Sequence, residues 1–356
     1  MTYRLGDIVD AHMHLWNPLT TPREASGPAR LYSIAPRLLE KAFGVVVPRA
    51  NREFVGSPRW VAQPFLPADY SALAHSDDDA HRVGTVVHIE ASWKAEGFGA
   101  ADESAWINGL TFPDSLALGG IVGHFDPRWT DGAEVLDAHL ASTPNLVGIR
   151  CSAPVHPDPG VKSWTDVPNL YADKSFLTGF AAVAERGLTF DAWVYAHQLP
   201  DVVTLAREYP ETTIILNHLG TEPGAVGPRG KSTGSSSAER AGMRDRWLDE
   251  VSAVADEPNV VAKLSGYGMP VLGYSSMPSR AELADLWHPI LTSTASAFGV
   301  DRLVFGSNMP IDAPVLTFGD AVQLVAAAVD AAHGPTALPA AFSANARRIY
   351  RIPSPR

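Results

Sequence analysis

Two histidines one residue apart, His12 and His14, close the apolar run Ile8-Val9-Asp10-Ala11-His12-Met13-His14. The run predicts a short buried strand. Side chains alternate along a strand, so the two imidazoles share a face, with Asp10 behind them. Paired imidazoles at a strand's carboxyl end can hold a divalent metal or steer a water molecule. Alone, a His-X-His tripeptide is as compatible with one core histidine and one surface histidine. The rest of the chain has to decide.

Comparable chemistry recurs at the ends of later apolar runs. Glu90, His124, Arg150, Asp191, His218, Lys263 with Ser265, and Asn308 each close one. Between these runs lie helical stretches near 100–110, 132–141, 175–185, 200–209, 238–255, 280–298 and 317–332. Eight continuous apolar strands alternating with helices indicate a parallel sheet covered by helices. Eight units without a glycine-rich phosphate loop predict an α/β fold, a (β/α)8 TIM barrel. Active sites of that fold sit at the carboxyl rim of the strands. Residues 17–82, rich in proline, read as a long irregular insertion after the first strand, with short helices such as 35–42, lying over the site. The whole chain, 1–356, reads as one domain.

The chain has 356 residues, 46% hydrophobic and 19% charged, with a net charge of −11. That balance speaks against nucleic acid or an anionic membrane as partner and for a small-molecule substrate. The single cysteine, Cys151, excludes an intrachain disulfide and a cysteine-based zinc cluster, and fits the cytoplasm. No signal peptide and no membrane helix are expected. A homodimer is the default oligomer.

The segments Asp10-Ala11-His12-Met13-His14-Leu15-Trp16-Asn17-Pro18, Leu146-Val147-Gly148-Ile149-Arg150, Leu216-Asn217-His218-Leu219-Gly220, Val261-Ala262-Lys263-Leu264-Ser265-Gly266 and Phe305-Gly306-Ser307-Asn308-Met309-Pro310-Ile311-Asp312 together resemble the amidohydrolase superfamily. The nearer likeness is to its branch of sugar-lactone and pyrone-dicarboxylate lactonases. That resemblance implies a barrel hydrolysing a cyclic ester. His12 and His14 fall on the strand-one pair and His218 on the strand-six histidine. Asn308 stands where the family usually carries an aspartate that acts as base and metal ligand. Asparagine cannot accept a proton near neutral pH, so Asp312, four residues on, is the candidate replacement.

The catalytic candidates are therefore His12, His14, His218, Asp312 and Asn308. The three histidines would hold one zinc or manganese ion if a metal is used, and a metal-free mechanism is equally open. Arg150 is a candidate carboxylate or oxyanion clamp, or else the partner of Glu90 or Asp191. Glu90, Asp191, Tyr195, Lys263 and Trp16 complete the expected substrate contacts, although Lys263 also suits a structural ion pair and Tyr195 the core. Residues 220–237, rich in glycine and serine, read as a mobile lid. Lactone hydrolysis leads. A metal-dependent decarboxylase or amide hydrolase and a non-catalytic relative that binds a small acid are the alternatives.

Overall fold

The computed structural model describes residues 2–76 and 81–353. The apolar runs form eight strands: β1 (Leu5–Met13), β2 (His81–Ile89), β3 (Ala117–His124), β4 (Leu146–Ser152), β5 (Thr189–Trp193), β6 (Ile214–Leu216), β7 (Val260–Leu264) and β8 (Leu303–Phe305). Every strand pairs in parallel with the next, in the order of the sequence. The ring closes just past β8, where Asn308 N–H donates to the His12 carbonyl at 2.8 Å and His14 N–H to the Met309 carbonyl at 2.9 Å. The fold is a (β/α)8 barrel.

The connection from β1 to β2 is more regular than its proline content suggests. It carries α1 (Ser26–Ile34), α2 (Pro36–Val46), α3 (Arg49–Val55), α4 (Arg59–Ala62) and α5 (Pro67–Ala74). Proline opens α2 and α5, where its missing N–H costs nothing. Prolines that looked like interruptions are thus helix starts. Residues 77–80 of the segment 17–82, like Met1 and 354–356 of the chain, lie outside the described residues.

The barrel helices are α6 (Ala101–Asn108), α7 (Gly132–Ser142), α8 (Lys174–Glu185), α9 (Leu199–Glu208), α10 (Ser237–Ala255), α11 (Arg280–Phe298) and α12 (Phe318–His333), followed by the short α13 (Asn345–Ile349). Their starts carry local signals. Ser279 and Glu282 form a capping box at α11, as do Thr317 and Asp320 at α12, and Asp173 caps α8. Most buried side chains form one core between strands and helices. A second cluster joins Val9, Val87, Val122, Ile215, Val261 and Val304 of six strands to Ile349 and Tyr350, so the C-terminal turn packs against strand residues. No helix among the described residues is long and apolar enough to cross a membrane.

A fully buried ion pair lies beside Tyr350 of that cluster. Lys263 of β7 and Asp191 of β5 are both fully buried and bonded to each other. Asp191 also accepts from Asn217 Nδ2 at 3.0 Å and from the Tyr350 hydroxyl at 3.0 Å. Removing one partner of such a pair strands the other charge away from water. Lys263→Met is therefore expected to cost about 3–5 kcal/mol. The double variant Asp191→Asn, Lys263→Met should recover much of that loss in urea unfolding; additive losses would show that the two charges do not act as a pair.

Candidate active site

β1 slips register against β2 at three points, the last between Asp10 and Met13. Asp10 stands behind the two histidines, as expected, and its carboxylate accepts from the His12 N–H at 3.1 Å. The Asp10 carboxylate accepts from the hydroxyl of Tyr70 on α5 at 2.6 Å and from the backbone N–H of Ser307 at 2.8 Å. His12 and His14 turn toward His218. The His12 ring centroid lies 4.5 Å from that of His218 and 5.0 Å from that of His14. The expected convergence of the first and sixth strands on one small volume is present.

Two site residues need unusual backbone. His218 and Asn308 have φ of 54° and 55°, the left-handed region, just after β6 and β8 end. Side chains other than glycine adopt it at a cost of about 1 kcal/mol. Two glycines make room for the rings. A Cβ on Gly266, itself at φ +80°, would lie 2.5 Å from His218 Nδ1, and a Cβ on Gly306 would lie 2.6 Å from His12 Cβ.

Hydrogen bonds set the imidazole tautomers. His14 Nδ1 lies 2.9 Å from the Ile89 carbonyl, which can only accept, so Nδ1 carries the proton and Nε2 a lone pair. His218 Nδ1 lies 2.9 Å from Ser265 Oγ, whose own hydroxyl reaches the Lys263 carbonyl at 3.4 Å; this leaves His218 Nε2 free as well. His12 Nε2 is 3.3 Å from His14 Nε2, and His12 Nδ1 has no partner. Burial drives all three below the ordinary histidine range. The Arg150 charge adds to the effect at His14 and His218, and His14 falls to about 3. The cluster is neutral at physiological pH.

Arg150 and Glu90 form the second feature of the floor. Arg150 Nε donates to Glu90 Oε1 at 2.8 Å and its Nη2 to the Glu90 carbonyl at 2.8 Å. Both residues line the cavity, so the ion-pair and the substrate-facing readings of Arg150 hold together. Burial pushes the Glu90 carboxyl up, but the charge and hydrogen bond of Arg150 together with His124 bring the net shift downward.

The cavity above measures about 300 Å³. His14, Glu90, Arg150, His218 and Asn308 bound it, together with Trp16, Trp193 and Trp164. Residues of α2, α3 and α4 supply much of the rest of its wall. His12 lies behind His14 and His218 and does not reach it.

Four expected site residues stand elsewhere. Asp191 and Lys263 are absent from the cavity wall and bond each other, because both sit before the ends of their strands, below the rim. Tyr195 lies two residues past the end of β5, where alternation no longer applies; its hydroxyl donates to the Lys162 carbonyl at 2.6 Å, away from the cavity. Asp312 is fully buried behind Asn308, accepting from Asn308 Nδ2 at 2.7 Å and from Gly268 N–H at 3.0 Å. It holds the asparagine amide and does not replace it at the cavity. Residues 220–237 do not form a lid. None lines the cavity, and Asp158 accepts from the backbone of Lys231 and Ser232 at 2.7 and 2.8 Å, stapling the segment to the loop after β4. Lys162 and Trp164 on that loop were invisible to strand periodicity, because no repeat marks a cavity-facing loop residue.

A divalent ion can be tested against the donors. Two nitrogens about 2.0–2.1 Å from one tetrahedral ion lie about 3.3 Å apart, and the His12 and His14 Nε2 atoms are 3.3 Å apart. A ligating histidine usually gives its other N–H to a carbonyl or similar acceptor, as His14 does to Ile89. The pair fits a divalent cation. Among the described residues, no group of three or more His, Cys, Asp or Glu side chains is already arranged around one point.

Comparison with known proteins follows the same lines. The amidohydrolase family model matches residues 9–352. The chain belongs to the amidohydrolase family. This amidohydrolase is 28% identical over 347 residues to the uncharacterized protein y4mH of Sinorhizobium fredii, covering 97% of this chain and 98% of that one. It is 29% identical to an L-fucono-1,5-lactonase of Burkholderia ambifaria over 67% of this chain and 72% of the relative. Its fold matches that of an amidohydrolase from Burkholderia multivorans solved with bound zinc, at a TM-score of 0.67 and 22% identity, covering 97% and 99% of the two chains. A second structural match is a Pseudomonas putida protein described as a putative 2-pyrone-4,6-dicarboxylic acid hydrolase, at a TM-score of 0.59 and 14% identity over 97% of each chain.

Asp312 offers a direct test of the site's buried electrostatics. Burial raises its pKa from 3.8 to about 7. A carboxyl with a raised folded pKa contributes stability that is complete below about pH 4 and lost as the pH climbs through about 7. At about 1.4 kcal/mol per pH unit the loss is roughly 4 kcal/mol. Asp312→Asn should abolish that slope, so the stability difference between variant and parent shifts in favour of the variant from pH 4 to pH 8 in urea titrations. Parallel curves would show that Asp312 is already ionised at pH 4.

Proposed function

We propose that this amidohydrolase hydrolyses a cyclic ester of a small organic acid, a lactonase-like reaction. The observation that carries the reading is the shared floor: neutral His14 and His218, the Asn308 amide and the Arg150 guanidinium bound one cavity. The L-fucono-1,5-lactonase name of one relative supports the same class of reaction.

The residues divide the work as follows. Arg150 has Nε and Nη2 engaged by Glu90, so Nη1 is free for the substrate carbonyl oxygen and the negative charge that develops on it. Asp312 fixes Asn308 through Nδ2, which leaves the amide oxygen to accept from an attacking water. His218 Nε2 takes the water's proton as the water oxygen bonds to the carbonyl carbon. Arg150 is among the charges that hold His218 neutral; an oxyanion at Arg150 offsets it and raises the proton affinity of the ring at that moment. The ring C–O bond then breaks, and His218 returns the proton to the departing alkoxide, giving the hydroxy acid. A zinc or manganese ion held by His12 and His14 with His218 would supply Lewis acidity and lower the pKa of a bound water. The single buried cysteine fits a cytoplasmic setting, and the reading takes the chain as one barrel domain with 17–82 as its cover.

A panel of lactones followed by acid release tests the reaction. Turnover is expected, with His218→Ala lowering kcat/KM by about 10²- to 10⁴-fold. Because burial and the Arg150 charge hold the His218 base well below the ordinary histidine range, kcat/KM should show no loss as the pH falls through 6.5. No ring opening on any lactone would overturn the proposal. Elemental analysis of protein purified without chelator reads the metal separately: about one zinc or manganese per chain is expected if the histidines ligate, and none if they act alone.

A further inference from the structure

The cavity has two chemically different parts. Its floor carries the polar groups described above. Its shaft is built by Leu39 and Phe43 of α2, Val47, Phe54 and Val55 of the next turn and helix, and Trp164 of the loop after β4. The charged groups on the shaft are partly engaged, with Arg23 Nη2 left without a partner. Arg23 bonds Glu103 and the Ala91 carbonyl. The Lys162 ammonium lies 4.2 Å from the Trp164 ring centre and 3.9 Å from Glu24. Asn51, Ser92 and the unpartnered Trp164 Nε1 are the neutral polar groups that remain on the walls, which are otherwise mostly apolar.

A polyhydroxylated ring would find few partners in such a shaft. Each hydroxyl buried without one loses its bonds to water and weakens binding roughly tenfold. An alkyl or aryl substituent gains instead, at roughly fourfold per buried methylene. We infer that the substrate of this amidohydrolase is a lactone bearing an apolar alkyl or aryl substituent, with the ester at the histidine floor and the substituent in the shaft between α2, α3 and Trp164. This specificity rests on the lactonase reading above and differs from the sugar lactone named for one of its relatives.

The segment that sets the specificity is the β1–β2 connection.

The test is a series of five- and six-membered lactones with linear substituents from methyl to hexyl, set against hydroxylated sugar lactones. The inference expects kcat/KM to climb about threefold to fivefold per methylene until the shaft is full, with the longest members at least 100-fold above the sugar lactones. A flat or falling series, or sugar lactones in the lead, overturns it. Phe43→Ser with Val55→Asn should flatten the slope, with a thermal melt confirming that the variant folds. A binding arm separates this inference from the hydrolase reading. Quenching of tryptophan fluorescence by 2-alkylcyclopentanones, which have the ring carbonyl and no ester to cleave, should tighten with chain length even if no lactone is opened. Affinity independent of chain length would sink the apolar shaft whatever the catalytic result.

Discussion

One carboxylate holds the ends of the barrel together. Asp10 of β1 accepts from the backbone N–H and hydroxyl of Ser307 after β8, from Tyr70 of α5 and from the N–H of His12. The strands themselves are thin at this point, since β8 spans only Leu303–Phe305. Polar bonds substitute for a longer ladder. Because His12, His14 and Asn308 all hang from the two segments that Asp10 joins, the seam that closes the cylinder also sets the distance between the imidazoles and the amide. The requirement for closure and the requirement for a site are met by the same atoms.

Above that seam the protein is arranged to keep charge under control. The fully buried Lys263–Asp191 pair lies among the strands, and Arg150–Glu90 opens onto the cavity. Between them the histidines are held neutral by burial and by the neighbouring cations. Neutral imidazoles keep their lone pairs, which is what proton transfer or metal ligation needs. The positive charge that depresses them is also what an anionic intermediate would meet, so the same field that silences the bases at rest favours the reaction once charge develops.

Much of this was legible in the residues. Eight apolar runs became eight strands within a few residues of the expected ends, since continuous burial on both faces leaves a strong signal. His12, His14 and His218 were recoverable because they sit where strands stop. One miss came from extending alternation past the regular strand. Tyr195 lies beyond β5, so period-two reasoning misassigned its face. Asp312 was expected at the cavity because only its sequence separation from Asn308 was visible; that separation turned out to serve a side-chain bond behind the amide. The glycine-rich stretch after His218 read as mobile, yet a carboxylate 73 residues earlier in the chain pins it. Long-range staples of that kind leave no local pattern.

Three buried imidazoles form one neutral cluster, in which the Ile89 carbonyl fixes the tautomer of His14 and Ser265 that of His218. Nitrogen NMR of protein labelled with ¹⁵N-histidine, followed from pH 5 to pH 8, reads it directly. Signals of His14 and His218 that stay neutral, with the proton on Nδ1 throughout, are the expected result. A titration of either ring with a midpoint near the ordinary histidine value, or a proton on Nε2 of His14, would contradict the account.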